Sequence, residues 1–345
     1  MTTRGVAAGA GLWLAAAVLA AALPARGAAQ TKLFRSDSML TVTLKTDLRS
    51  LLRDRDTTKI VWRDATISYA GAGDSTVTVP LRVRTRGIYR LKNCDDPPIR
   101  LAFDDSTARG TLFKGTHHPK LIVPCESGNL AEQLILQEYA IYRVQQLLTP
   151  VSLSARLLRL TLEDVQGRAK PQNHYAFITE DPRRLAGRLG GAIDVSGGIR
   201  MHDLSTYQAG MLAVFQYLIG NTDWSLPGAH NIAAIIVQDT ILPLAFDYDW
   251  SGVVDAPYAQ PAPQLGIKSV RERIWRGRCM TPSQLEPVLA RFELMRDSIT
   301  ALMRSIPDLQ PRELQRTLRY YDDFYRVIAD RSRFVRDVVA RDCVP

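Results

Sequence analysis

The chain has 345 residues, of which 46% are hydrophobic and 23% charged, and these proportions exclude a largely disordered protein. The formal net charge is +9, and the basic residues are spread over many segments as arginine instead of being gathered in one block. Because no motif of interleaved aromatic and basic residues accompanies them, we expect no nucleic-acid partner.

Residues 1–29 have the pattern of a secretory signal peptide. Arg4 supplies a positive charge, Leu12 to Leu23 form an apolar run rich in alanine and leucine, and small residues follow. The run is short for a membrane span, although an uncleaved anchor is the alternative. We therefore expect an exported protein, either periplasmic, extracellular or in the cell envelope, with no transmembrane segment after removal of the signal.

The four cysteines form an even set, which favours two disulfides in an oxidising compartment. Three pairings are possible for four cysteines. Proximity in the sequence favours Cys94 with Cys125 and Cys279 with Cys343, so that each half of the chain holds one disulfide.

Strand patterns dominate from residue 33 to residue 123. Alternating or β-branched runs stand at 40–44, 67–69, 76–79 and 81–86, and a short helix is expected at 48–53. The last of these strands places Arg82, Arg84 and Arg86 on one face, as in an exposed strand.

A short strand at 118–124, which contains Lys120, is followed by the clearest amphipathic helix of the chain, at 131–148. Two strands at 155–162 and 174–179 come next, and a glycine-rich connector at 187–198 marks a boundary. Long helices are expected at 284–306 and 311–339.

The stretch from Phe215 to Gly252 carries most of the polar residues that suggest chemistry. An apolar helix ends at Gly220, and a polar loop follows with Asn221, Asp223, His230 and Asn231. Two β-rich runs, 232–237 and 241–246, then lead to a pair of aspartates. Phosphoryl transfer with Mg²⁺ uses such a set of aspartate and asparagine side chains.

The pair consists of Asp247 and Asp249, which lie two residues apart and hence on the same side of the strand if the strand continues. They follow a run that is apolar enough to be buried. Charge at such a position needs a partner or a metal ion.

The segments GNTDW, HN and FDYDWSG resemble the CotH family of secreted, atypical protein kinases. The resemblance implies that Asp223 is the catalytic aspartate and that Asn231, Asp247 and Asp249 belong to the metal site. In this family a strand rich in arginine and glycine precedes the nucleotide-binding lysine, which would be Lys120.

The same resemblance implies an ion pair between Lys120 and a helical glutamate that fixes the nucleotide phosphates. Glu138 is the first candidate for this partner, and Glu132 is the alternative. One departure concerns the loop, because Asp223 and Asn231 are eight residues apart, whereas kinase-like loops have about five. The insert at 226–229 must bulge out if the two side chains are to meet.

The fold that the resemblance implies is α+β, an atypical protein-kinase-like fold of two lobes, with a β-rich N-lobe and a helical C-lobe. We expect residues 30–190 to form the first part and residues 191–345 to form the second, which includes the proposed catalytic loop. The implied function is that of a secreted phosphotransferase that uses ATP with Mg²⁺ or Mn²⁺ and acts on a protein hydroxyl.

Two other functions stay open at the level of the sequence. A non-catalytic envelope or binding protein is favoured by the insert in the loop, by the lack of a glycine-rich phosphate loop and by the scarcity of ATP outside cells. A hydrolase that uses Asp223 with Asp247 or Asp249 is chemically possible, although no motif beyond these acids supports it.

Overall fold

The structure is a computed structural model that describes residues 29–56 and 58–344. The predicted signal peptide, apart from its last residue, lies outside the described residues. Within the described ranges, no helix is both long enough and apolar enough to cross a membrane.

The first half of the described chain forms a closed β-barrel of seven strands. Around the barrel their order is β1-β2-β3-β4-β5-β7-β6, and β6 returns to pair with β1. This last pairing is parallel and the other pairings are antiparallel, so the barrel is mixed. The strands are β1 (Leu40–Thr46), β2 (Arg63–Ala70), β3 (Thr76–Thr85), β4 (Ile99–Ala102), β5 (Lys120–Ile122), β6 (Ala155–Asp164) and β7 (Gln172–Thr179).

The predicted fold class, an α+β kinase-like fold of two lobes with a β-rich N-lobe and a helical C-lobe, is wrong. The parallel pairing of β1 with β6, which aligns Leu40 with Leu158, closes the sheet into a barrel and leaves no free edge. Alternation within one strand shows that one of its faces is buried, but it does not show which strand will be its neighbour. The closure therefore could not be read from the pattern of either strand alone.

The barrel interior is filled by aliphatic side chains from alternate positions of its strands. Leu44, Ile67, Val83, Leu101 and Leu160 are each at most 1% exposed and belong to one hydrophobic cluster. Since successive residues of a strand point to opposite faces, the residues between them lie on the outer surface of the barrel. That outer surface carries the basic residues of β3, β4 and β5.

The second half of the described chain is mainly helical and contains a small sheet in the order β10-β9-β8. The strands of this sheet are β8 (Ala192–Ile193), β9 (Ile232–Val237) and β10 (Thr240–Ala245). The α-helices of the described residues are α1 (Leu48–Arg53), α2 (Tyr89–Asn93), α3 (Asn129–Leu148), α4 (Pro182–Arg188), α5 (Thr206–Ile219), α6 (Pro282–Leu294), α7 (Arg296–Ser305), α8 (Pro311–Ile328), α9 (Arg331–Phe334) and α10 (Ala340–Asp342), with a π-helical stretch (Val335–Val339) before the last.

Helix α3 connects the barrel to the helical half. Its buried residues pack on β6 and β7 and share one hydrophobic cluster with α5, α6 and α8. Helix α5 starts at a Ser205 cap and ends at Gly220, whose φ of 64° is accessible to glycine without strain. These two helices flank the segment that carries the acidic motif.

Both long helices expected near the C-terminus are interrupted. The first breaks at Met295 into α6 and α7, and the second ends at Ile328, after which Asp330 caps α9. Hydrophobic periodicity persists across such a break, because both segments pack on the same core. The periodicity therefore predicted one helix where the structure has two.

Both predicted disulfides, Cys94–Cys125 and Cys279–Cys343, are present. The first joins the end of α2 to the loop before α3, and the second joins the loop before α6 to the C-terminal segment. Two disulfides fit an oxidising compartment, as expected for an exported protein.

Removal of the disulfide that spans 64 residues, through a Cys279→Ser, Cys343→Ser double variant, should lower the free energy of unfolding by about 2–4 kcal/mol. The cross-link restricts the unfolded chain, so its loss favours unfolding. Thermal melts of the double variant and of the reduced wild type should both shift to lower temperature. A melt of the double variant that coincides with that of the oxidised wild type would contradict this.

Candidate functional site

Glu138 lies in the middle of α3, on the face that packs against the rest of the protein. Its side chain is almost fully buried, and its Oε1 atom has no hydrogen-bond partner. Burial and the charges of Asp249 and Asp247 raise the pKa of Glu138 well above its usual value. Because an unpartnered buried carboxylate oxygen is unfavourable, Glu138 requires either a proton or a nearby cation.

The turn after β10 carries the two aspartates. The strand has ended before Asp247, whose φ is 68°, so the expectation that a continuing strand would align Asp247 and Asp249 is wrong. Two side chains of α3 position the turn instead. The Tyr142 hydroxyl accepts a hydrogen bond from the Asp247 backbone N–H at 2.9 Å, and Gln145 Oε1 accepts one from the Tyr248 hydroxyl at 2.8 Å.

These contacts bring Glu138, Asp247 and Asp249 together, and we call them the carboxylate trio. One oxygen atom from each lies within 4.8 Å of the other two. Burial and the charge of Asp247 raise the pKa of Asp249 to about 6. Burial also acts to raise the pKa of Asp247, but Arg86, Lys120 and other nearby cations outweigh it and lower that pKa.

The carboxylate trio fits a divalent cation. Oxygen donors are the ligands that Mg²⁺, Mn²⁺ and Ca²⁺ prefer in proteins. The unpartnered Oε1 of Glu138 supplies a donor atom that makes no hydrogen bond. A cavity of about 10 Å³ lies between Arg90, Glu138 and Asp249, close to the space that one bound water needs.

Basic residues surround the carboxylate trio without neutralising it completely. An Arg86 guanidinium nitrogen lies 3.8 Å from Asp247 Oδ2. Arg90 is buried, donates a hydrogen bond to the Val123 carbonyl, and has its pKa lowered by burial but raised overall by nearby acidic groups. The Tyr258 hydroxyl donates to Asp249 at 3.0 Å.

The expected ion pair between Lys120 and Glu138 does not form between these two described residues. The Lys120 ammonium lies 4.2 Å from the centre of the Phe246 ring, and burial together with the charge of Arg86 lowers the pKa of Lys120 to about 7. The alternative partner, Glu132, is bound to β7 instead, where it contacts His174 Nδ1 at 3.0 Å. Glu138 lies with Asp247 and Asp249 and not with Lys120.

The polar loop after α5 brings Asp223 and Asn231 together despite their separation of eight residues. Ser225 and His230 exchange two backbone hydrogen bonds of 2.9 Å, so the four residues between them form a closed turn. Asn231 Nδ2 then donates to Asp223 Oδ2 at 2.9 Å, and His230 Nε2 lies 2.9 Å from Asp223 Oδ1. The insert in the sequence is absorbed by this turn.

Both acidic segments open onto one cleft with a volume of about 420 Å³. Asp223, His230, Asn231, Asp247 and Asp249 all line it. A volume of this size accommodates a small-molecule ligand. The four predicted site residues Asp223, Asn231, Asp247 and Asp249 therefore face one cleft, and Glu138 lies buried next to Asp249.

Sequence reasoning did not identify the residues that support the site. Tyr142 and Gln145 were only positions in an amphipathic helix, and Tyr258 was part of a loop rich in proline and alanine. No local pattern marks these residues, because their partners are about 10 to 100 positions away in the chain. Only the packing of α3 against the turn after β10 reveals them.

No protein-family model matches the chain, and no curated protein matches it. Among solved structures, the proinflammatory kinase CtkA of Helicobacter pylori is weakly similar, with 12% sequence identity and a TM-score of 0.39 over 69% of this chain and 90% of that chain. A likeness this weak decides neither the fold nor the function of this chain. Membership of the CotH family stays a prediction.

The raised pKa of Asp249 predicts that metal affinity depends on pH. A protonated carboxyl group is a poor ligand, so Mn²⁺ affinity should rise by at least about tenfold per unit as the pH approaches about 6 from below. Above that pH the rise should become shallower, because the buried Glu138 is then the remaining ligand that titrates. Calorimetric titration between about pH 5 and 8 measures this.

The variant Asp249→Asn removes one of the two titrating ligands and should bind Mn²⁺ weakly, without the change of slope near pH 6. The matched control is Asp239→Asn, because Asp239 is exposed in the turn between β9 and β10. Wild-type affinity that does not change across this range of pH would contradict the assignment.

Proposed function

We propose that the protein is an exported, metal-dependent phosphotransferase that transfers a phosphoryl group from ATP to a hydroxyl group on a protein. The observation that carries the proposal is the carboxylate trio, which has an unpartnered Glu138 oxygen and adjoins a cleft that also contains Asp223. Phosphoryl transfer depends mainly on the positioning of groups and on electrostatic stabilisation. The cleft provides acidic groups for a metal ion and basic groups for phosphate oxygens.

Glu138, Asp247 and Asp249 would hold the metal ion, Mg²⁺ or Mn²⁺, with Asn231 Oδ1 as a further oxygen donor from the loop. Bound there, the ion would neutralise negative charge on the phosphoryl group that is transferred. Arg86 lies close to Asp247 and would contact the same phosphates.

Asp223 is the residue that we assign to the acceptor hydroxyl. Its side chain is 32% exposed, so an acceptor can reach it from the cleft. His230 and Asn231 each contact one of its carboxylate oxygens and so restrict its orientation. A carboxylate held in this way can accept the proton of an attacking hydroxyl group.

A second candidate function is non-catalytic binding of the metal ion and nucleotide. Two observations favour it: both carboxylate oxygens of Asp223 are already engaged, and Lys120 does not pair with Glu138. Such a protein would bind the same ligands but would not transfer phosphate.

The variant Asp223→Asn separates the two candidates. Proton acceptance matters mainly in the transition state, so kcat should fall about 10²- to 10⁴-fold while the affinity for ATP changes little. Transfer of labelled phosphate from ATP to a generic protein measures kcat, and the fluorescence of Trp250, which lines the cleft, reports nucleotide binding.

Asp239→Asn is again the matched control and should keep wild-type turnover. Unchanged turnover in Asp223→Asn would remove the catalytic role of Asp223. Metal-dependent ATP binding by a wild type that transfers no phosphate would favour the non-catalytic candidate.

A further inference from the structure

Three basic side chains form a straight row across neighbouring barrel strands. Arg84 of β3 lies opposite Arg100 of β4, and Arg100 lies opposite Lys120 of β5. All three lie on the outer face of the barrel, since the residues next to them in each strand belong to the barrel core. With strands about 4.8 Å apart, the row is about 10 Å long. We call these three residues the cation row.

The cation row forms no ion pair with an acidic side chain of the described residues. Like charges directly opposite one another on neighbouring strands are unfavourable. No ion pair within 4.0 Å joins Arg84, Arg100 or Lys120 to a carboxylate in the part of the chain that the structure describes. The two arginines donate only to backbone carbonyls, at 3.2 Å from Arg84 to Thr85 and at 2.7 Å from Arg100 to His118.

Unused hydrogen-bonding groups accompany the excess charge. Nε of Arg84 is buried without a partner, and so is the hydroxyl of Thr179, which lies opposite Lys120 on β7 and is fully buried. Burial and the charge of Arg86 lower the pKa of Arg100 to about 10. Arg84 and Arg100 therefore offer charge and hydrogen-bonding groups to an anion, and Lys120, whose pKa is lowered to about 7, gains its full charge when an anion lies beside it.

The cation row lies beside the carboxylate trio. At one end the Lys120 ammonium lies 4.2 Å from the centre of the ring of Phe246, the residue before Asp247; near the other end Arg86, two positions after Arg84, lies 3.8 Å from Asp247. A ligand that lies along the row is therefore next to the metal site. Phosphate is an anion that binds guanidinium groups and also coordinates divalent cations.

We propose that the cation row binds a linear chain of three or more linked phosphate groups beside the carboxylate trio. The inference rests on the proposed function for the identity of the reaction. An extended acidic peptide fits less well, since its carboxylates on one side repeat at about 6.8 Å and at most two of them reach a row that is about 10 Å long.

The probes are inorganic phosphate, pyrophosphate, tripolyphosphate and ATP, titrated calorimetrically into the full mature chain with its disulfides intact and with metal ions chelated. Affinity should rise with each added phosphate. If ATP and tripolyphosphate bind equally well, the ligand is a free polyphosphate. If ATP binds more tightly, the phosphate chain belongs to a nucleotide. Both results support the proposal, whereas affinity that does not depend on phosphate number overturns it.

Arg100→Gln and Arg84→Gln should each weaken tripolyphosphate binding by about tenfold or more, because each removes a charge-assisted hydrogen bond. The matched control is Arg159→Gln, since Arg159 lies on the outer face of β6 and stacks on Tyr175 away from the row. Thermal melts check that each variant folds. The proposal is overturned if all three variants bind tripolyphosphate with equal affinity. It is also overturned if polyglutamate binds as tightly as tripolyphosphate and loses as much affinity in Arg84→Gln and Arg100→Gln.

Failure of this inference can be told apart from failure of the proposed function. If the wild type binds tripolyphosphate through the row but transfers phosphate to no acceptor, the function fails and the inference stands. If it transfers phosphate and Arg84→Gln and Arg100→Gln leave KM for ATP unchanged, the inference fails and the function stands.

Discussion

The site depends on the burial of the Glu138 carboxylate against two aspartates. Three acidic groups whose oxygens lie within 4.8 Å of one another repel each other, and one of those oxygens has no hydrogen-bond partner. Such a cluster persists only if the surrounding structure holds it, because a protein interior does not stabilise uncompensated charge. Tyr142 and Gln145 of α3 provide that support, since they fix the turn that carries Asp247 and Asp249.

The acidic and the basic residues of the site lie on separate surfaces. The carboxylate trio lies against α3, while the cation row crosses the outer face of the barrel. Arg86 lies where the two meet, 3.8 Å from Asp247. A ligand that satisfies both sides must carry negative charge and must also coordinate a cation, which is the chemistry of a phosphate chain bound with a metal ion.

The pairing of neighbouring barrel strands produces the cation row. Pairing of β4 with both β3 and β5 aligns Arg100 with Arg84 on one side and with Lys120 on the other. The parallel contact between β1 and β6 closes the same sheet into the barrel. The fold therefore brings together charges that are 16 and 20 residues apart in the chain and that repel each other only at this short distance.

Local features of the protein were determined by the sequence alone. The alternation in β1, the short helix α1, the end of α5 at Gly220 and the hairpin of β9 and β10 follow from periodicity and from the preferences of glycine, which act over a few residues. The pairing of the cysteines followed from their proximity in the chain. The residues that suggest phosphate chemistry, Asp223, Asn231, Asp247 and Asp249, were selected by their residue types and by the resemblance to the CotH family.

Only the tertiary structure decided how these parts combine. Whether the strands would form an open sheet or a closed barrel depended on one pairing between β1 and β6, over more than 100 residues. Glu138 was expected beside Lys120, but the packing of α3 placed it with Asp247 and Asp249, and Phe246 took the place beside the lysine. The physical reason is that the hydrophobic periodicity of a segment shows which of its faces is buried, whereas contacts between distant segments determine which residues that face meets.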